Sequence, residues 1–413
     1  MKRPIILSFP NLRTCTVGIV TKRGTVQDQI PGTTQVLLQT ITRETSNYSE
    51  QQIARKIDGK GGNLFLLVEK DFAVIGAQVR PRYAEDTFDL LFDMIKNPSL
   101  NPKHIEIETQ NLIQVYQRIM ANALQRLIFF EADKAVFGEK NPYSQSLIGN
   151  LESLKSISSE NLHNIMPDLL IEPWGFAIGY LPKEFGKKIA EKIGSQLAVG
   201  KSKILIKKDN FSKQIKPKRL ITSSTKEDEN AYICLNLAID MQASKLGCIR
   251  FSSGILGESY GSRMFSVLRD KKAFGYLTGS VIKLLANKII LRCFMETKPS
   301  RATEAIESLI GLISNLVEKE ISTTEYKTTK NYLLGMQDLS LDDSRIIASR
   351  IINRKVHGLT PNIKASYKEI EQVTPKKLHK LWKSIFKPEN LSLAISGDIN
   401  PKEIENYWRN QLE

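Results

Sequence analysis

The chain repeats itself at an offset of about 216 residues, and no other feature restricts its fold as strongly. Leu154-Lys155-Ser156-Ile157-Ser158-Ser159-Glu160-Asn161-Leu162-His163 is echoed by Ile370-Glu371-Gln372-Val373-Thr374-Pro375-Lys376-Lys377-Leu378-His379. Ile171-Glu172-Pro173 then matches Lys387-Pro388-Glu389, each followed by a short apolar strand (Gly175 to Gly179; Leu391 to Ser396) and a terminal helix. The middles correspond as well. Phe72 to Val79 alternates as a strand, turns at Arg80-Pro81, and enters a helix with Ala84, Phe88, Leu91 and Ile95 on one face. Ile289 to Met295 does the same, turns at Lys298-Pro299, and enters a helix with Ile306, Leu309, Ile310, Ile313 and Val317 on one face. Two α+β domains are therefore expected, over 1–200 and 220–413. The stretch between them, 201–219, holds eight Lys or Arg against Asp209 alone and reads as a basic, solvated linker.

With 413 residues, 41% hydrophobic and 25% charged, the chain has the composition of a soluble globular protein with enough length for two cores. No run of eighteen apolar residues appears, so no membrane span is expected. Met1 to Pro10 has a basic start but an apolar stretch too short for a signal peptide; it reads as an opening strand, and the protein as cytoplasmic. Cys15, Cys234, Cys248 and Cys293 lie far apart without ligand spacing, as expected of separate buried thiols. The net charge of +15 raises nucleic-acid binding, but the densest basic cluster, Lys201 to Arg219, contains Phe211 as its only aromatic, so no nucleic-acid partner is expected.

Several motifs carry a family likeness. In the first half they are Gly32-Thr33, then Ser49-Glu50-Gln51-Gln52-Ile53-Ala54-Arg55-Lys56-Ile57, then Gly61-Gly62-Asn63. Asn97-Pro98-Ser99-Leu100-Asn101-Pro102 follows and leads into Ile105-Glu106-Ile107-Glu108. Ser49 with Gln52 makes a capping box, and Gly61 or Gly62 can stop the helix that it starts. Strand, helix, strand and paired helices, duplicated and bearing these residues, resembles the pitrilysin/insulinase family of inverted-zincin metallopeptidases. The mitochondrial processing peptidase and cytochrome bc1 core subunits are members of similar length. The resemblance implies an α+β fold of two homologous α/β domains, each a mainly antiparallel sheet with helices on one face, in a clam-like arrangement.

Active members of that family carry HxxEH on one helix, two histidines on zinc and a glutamate as general base, with a downstream glutamate as third ligand. Aligned on Gly32-Thr33, the histidine positions hold Gln35 and Gln39, the base position Leu38, and the downstream ligand position Val115. The supporting acid is matched by Glu108. Carboxamides are poor zinc ligands beside imidazole, and leucine takes no proton from water. His104, His163, His357 and His379 make no ligand spacing either, so no zinc is expected in this chain. Where active members place an Asn-Ala pair on a substrate-pairing edge strand, Phe65-Leu66 stands, for which a packing role is expected.

In the second half, Ile255-Leu256-Gly257-Glu258-Ser259-Tyr260-Gly261-Ser262-Arg263-Met264-Phe265 precedes Leu268-Arg269-Asp270-Lys271-Lys272-Ala273-Phe274-Gly275-Tyr276. The two together are similar to the family's C-terminal-domain signature. The resemblance gives Arg269 the role of binding a substrate carbonyl and Tyr276 that of donating to the oxyanion of the tetrahedral intermediate. Such donors, preorganised in a dry cleft, stabilise the charge that an amide carbonyl gains under attack. Arg269 is expected to close a helix broken by Gly275, and Tyr276 to open a strand running to Val281. Arg263 and Arg269 can exchange roles in this alignment, though only Arg269 has the family's distance to Tyr276. A surface arginine beside a packed tyrosine is the plainer alternative.

The resemblance thus implies a non-catalytic, substrate-binding subunit of a heterodimeric zinc metallopeptidase, inactive alone. An HxxEH-bearing homologous subunit would supply the zinc, and Arg269 and Tyr276 would reach its site in trans, on unfolded peptide substrates. The other reading is a non-peptidase structural or assembly protein resembling the bc1 core subunits.

Overall fold

The computed structural model describes residues 4–197, 219–223, 228–285 and 287–410. Residues 201–218 of the expected linker lie outside them. No helix among the described residues is long and apolar enough to cross a membrane.

Two five-stranded sheets share one topology. The first contains β1 (Ile5–Ser8), β2 (Cys15–Thr21), β3 (Asn63–Val68), β4 (Ala73–Val79) and β5 (Trp174–Gly179), in the order β1-β5-β2-β4-β3. The second contains β6 (Arg219–Ser223), β7 (Ala231–Asp240), β8 (Thr278–Leu285), β9 (Lys288–Thr297) and β10 (Leu391–Ser396), in the order β6-β10-β7-β9-β8. In each, one edge pair is parallel (β1 with β5, β6 with β10) and every other pair is antiparallel. The sequence repeat is thus a repeat of strand order. The opening strand read at the N-terminus is β1.

The helices that pack on the sheets and carry the candidate positions include α1 (Thr33–Ile41), α2 (Ala84–Lys96), α3 (Pro102–Met120), α4 (Ala132–Phe137), α5 (Ala302–Glu318) and α6 (Ser344–Val356). Alternation along β2 aims Cys15, Val17 and Ile19 at the core, where they meet the α2 stripe of Ala84, Phe88, Leu91 and Ile95. In α5 the buried stripe is Ala302, Ala305, Ile306, Leu309, Ile313 and Leu316, while Ile310 and Val317 flank it half-buried. The capping box holds: Gln52 N–H donates to Ser49 Oγ (3.4 Å) and Ser49 N–H to Gln52 Oε1 (2.9 Å). That helix, Glu50–Asp58, ends as Gly61 adopts φ 60° and the Gly62 N–H returns to Ile57 O at 3.0 Å.

The chain divides into two compact units that are not simply its two halves. One holds the described residues of Met1–Gln117, Ser146–Lys207 and Asp338–Pro361; the other holds those of Arg118–Gln145, Lys208–Gln337 and Asn362–Glu413. Each unit therefore takes a segment from the opposite half of the sequence, and that segment covers the second face of its sheet. This explains why β2 and β5 are buried at every position.

In the first unit the covering element is α6. Ser344 Oγ lies 2.8 Å from Thr16 Oγ1, and Gln78 Nε2 donates to Asp343 Oδ1 (2.9 Å) and Ser344 Oγ (3.0 Å). On the same face Gly18 and Gly76 pair directly, flanked by Phe176 and Phe65. A Cβ on Gly18 would meet the Phe176 ring at 2.6 Å, and one on Gly76 the Phe65 ring at 2.5 Å. The outer ends of the two rings thus occupy the space above the glycines, and the Arg345 guanidinium sits 4.6 Å from the Phe65 centroid. Phe65 therefore packs. Its neighbours Leu64 and Leu66 lie against the core on the opposite face.

In the second unit the covering element is α4. Its Asp133 accepts from Arg292 Nη2 at 2.7 Å, and Arg292 Nε donates to Asn236 Oδ1 at 2.7 Å. The two charged side chains are only 5% and 6% exposed. Burial works against the Arg292 charge, but the Asp133 carboxylate outweighs it and holds the guanidinium more firmly protonated than usual. Arg126, on the same imported segment, pairs with Asp228 at 2.5 Å.

The four thiols are unpaired, and burial pushes each of them up, Cys15 to about 12 and Cys234 to about 11. They are structural groups rather than nucleophiles.

Candidate functional site

Helix α1 is anchored at its start by a buried cluster. Asp28 accepts from the Thr34 N–H (3.1 Å), from Thr34 Oγ1 (2.5 Å) and from Arg23 Nη2 (2.9 Å), while Arg23 Nη1 donates to Asp168 (2.6 Å). Gly32 precedes the helix at φ 96°, and a Cβ there would stand 2.7 Å from the Ile148 carbonyl oxygen, so both conformation and space call for glycine. The helix is well built; what it presents has changed. Leu38 is fully buried in the core. Gln35 and Gln39 are half-buried, and Gln39 Oε1 is shielded from water without a donor among the described residues. Val115 on α3 is half-buried.

Glu108, matched to the family's supporting acid, is buried and accepts from Arg43 Nε, and Arg43 also donates to Glu50 at 2.5 Å. Partial burial opposes the Arg43 charge, and the Glu108 and Glu50 carboxylates more than offset it, so the guanidinium is held protonated. An internal cation thus neutralises Glu108. Sequence reasoning missed this because Arg43 lies beyond the end of α1 and is distant in sequence from its partner.

Among the described residues no group of three or more His, Cys, Asp or Glu side chains is placed to hold a metal. His104 lies 3.6 Å from Glu44, while His163 and His379 contact the backbone carbonyls of Ser159 and Leu316. Two carboxamides, a leucine and a valine do not make a zinc site. Metal analysis of the dialysed chain is expected to find well below stoichiometric zinc; one zinc per chain would contradict this.

The second-half signature folds into two π-helical stretches, Gly254–Glu258 and Met264–Lys271, beside β8. Such widened helical turns are frequent at functional sites. The helix carrying Arg269 ends at Lys271. The reversal comes at Ala273, at φ 49°, with the Phe274 N–H donating to Leu268 O at 3.1 Å. The expected helix breaker, Gly275, serves another purpose: a Cβ there would lie 2.7 Å from the Glu296 carbonyl oxygen on β9. Leu277 exchanges backbone contact with Glu296 too, its carbonyl accepting from the Glu296 N–H at 2.8 Å. With Leu277 bonded to β9, Gly275 close against it and Phe274 buried, Tyr276 points outward and is 83% exposed. Strand β8 begins only at Thr278, two residues later than the expected start at Tyr276.

The two arginines separate cleanly. Arg263 forks onto Glu325 (Nε to Oε1 2.7 Å, Nη2 to Oε2 2.9 Å) and donates to Asn315 at 3.1 Å. Arg269 makes no hydrogen bond or ion pair through its guanidinium among the described residues; it lies between two rings, 4.2 Å from the Phe265 centroid and 5.4 Å from that of Tyr276. Arg269 and Tyr276 are therefore brought together, with donors unspent. Phe265, which spacing alone did not single out as part of the site, completes the arrangement.

The sequence pattern of the insulinase peptidases (peptidase family M16) matches residues 5–150. The chain carries an insulinase-family domain. An uncharacterized zinc protease of Mycobacterium leprae is 20% identical over 97% of this chain and 91% of its own length. The mitochondrial cytochrome b-c1 complex subunit 1 of Caenorhabditis elegans is 23% identical over 38% of this chain and 33% of its own. In three dimensions, a peptidase M16 inactive domain from Pseudomonas fluorescens superposes with a TM-score of 0.84 at 14% identity, covering 95% of both chains. The insulinase-type fold thus extends over both sheets.

Proposed function

We propose that this chain is the non-catalytic, substrate-binding subunit of a heterodimeric zinc metallopeptidase, inactive alone. The observation that carries the reading is the contrast between its two sites. The zinc positions hold Gln35, Leu38, Gln39 and Val115, while Arg269 and Tyr276 stand together at the surface with free donors. An HxxEH-bearing homologous subunit supplies the zinc and the attacking water. Arg269 donates N–H groups to a carbonyl of an unfolded peptide and so orients it. The Tyr276 hydroxyl donates to the carbonyl oxygen as it gains charge. The four separate thiols suit the reducing cytoplasm, where we place the pair.

A second reading, a structural or assembly protein without peptidase work, is favoured by the alignment with the bc1 subunit. Mixing this chain with a zinc-bearing relative separates the two. Peptide cleavage that needs both chains is expected, whereas a stable complex without cleavage would support the structural reading.

A further inference from the structure

The guanidinium of Arg269 differs from the paired cations near it. Arg263 is committed to Glu325, Arg301 pairs with Glu304 and donates to the Lys272 carbonyl at 3.0 Å, and Lys272 donates to Ser308 at 2.8 Å. The Arg269 guanidinium lies against the Phe265 and Tyr276 rings and makes no hydrogen bond or ion pair among the described residues. Stacking engages the face of a guanidinium and leaves its edge, where the N–H groups point, available. The exposed carboxylate of its neighbour Asp270 forms no ion pair among the described residues. Beyond Phe265 the stack continues: Tyr260 meets that ring edge-on, centroids 4.8 Å apart at 86°, and is 81% exposed. Two tyrosines this exposed, flanking an unpaired fork, form a surface that protein packing does not require.

We infer that Tyr260, Phe265, Arg269 and Tyr276 form one platform that binds a peptide carboxylate, from an acidic side chain or a chain terminus, at the edge of the Arg269 guanidinium. The inference rests on the reading of Arg269 and Tyr276 as peptide-facing groups. It adds that Phe265 is a positioning residue and that Tyr260 carries a neighbouring peptide side chain. A planar fork matches the two oxygens of a carboxylate through two parallel hydrogen bonds, and the five N–H groups of Arg269 leave donors for a peptide carbonyl beside it. The chain's charge of +15 draws acidic segments toward it.

The test is equilibrium binding of fluorescent, N-acetylated, unstructured peptides to the full chain without any partner. One peptide has an internal aspartate and an amidated end, a second is neutral with a free terminal carboxylate, and a third is neutral and amidated. At least one carboxylate peptide is expected to bind about tenfold more tightly than the third at low salt, and which one does so names the source. Arg269→Ala should abolish the preference, and Arg269→Lys, which keeps charge but not the fork, should lose most of it. Phe265→Leu should reduce the preference about threefold while Phe265→Tyr retains it. Tyr260→Ala should weaken all three peptides alike. Equal binding of the three peptides, or a preference that survives Arg269→Ala or is untouched by Phe265→Leu, overturns the platform. No zinc subunit is present, so a failure of cleavage by the pair is a separate result.

Discussion

Replacing Tyr276 by phenylalanine is expected to slow peptide cleavage by the assembled pair about a hundredfold, the usual cost of removing one oxyanion donor. The loss should fall on kcat. The ring remains beside Arg269, so ground-state peptide contacts persist, and only the hydrogen bond that strengthens with developing charge is gone. Arg269→Ala should raise KM as well, since the guanidinium orients the peptide before attack. Arg263→Ala serves as the control, because its guanidinium is tied to Glu325 and Asn315 within the same unit. That variant should lose stability and keep its rate. Steady-state kinetics on a fluorogenic peptide read all three. Full activity in Tyr276→Phe and Arg269→Ala would remove these residues from the reaction.

Asp133→Ala is expected to destabilise the second unit by about 3–5 kcal/mol, the cost of leaving a buried charge without its partner. Arg292 would keep its hydrogen bond to Asn236, but nothing else described at that point on the sheet answers its charge. Adding Arg292→Met should restore most of the loss, since apolar side chains of similar size often replace a buried ion pair without penalty. Urea denaturation of the three chains measures this. A loss below about 1 kcal/mol in Asp133→Ala would mean that water reaches the pair and screens it.

The repeat was legible because strand order and helix stripes leave periodic marks: β4 with α2 and β9 with α5 have the same grammar and were read as such. The exchanged segments were not legible. The buried face of α6, with Ile347, Ala348, Ile351 and Ile352, marks a helix but not its sheet; the polar patch of Thr16, Gln78, Asp343 and Ser344 that ties it to the first sheet leaves no local signal. Likewise Asp133 and Arg292 are far apart in sequence, and a buried ion pair gives no local signal. At the candidate site the sequence offered Arg269 and Tyr276 through their spacing, but left Arg263 as a rival. Only the Glu325 fork, contributed from a distant helix, separates them. The spacing makes Tyr276 the first residue of a strand; the strand starts at Thr278 instead, and the Glu296 backbone, bonded to Leu277 and close against Gly275, leaves the tyrosine turned out to solvent.

The most direct measurement is a titration: the cleavage rate of a fixed amount of zinc-bearing relative as this chain is added. A rate that climbs and saturates at equimolar chain, with the Arg269→Ala/Tyr276→Phe chain binding equally well but giving no rise, is the expected result. A rate indifferent to the added chain, or raised as much by the doubly substituted one, would contradict the division of labour.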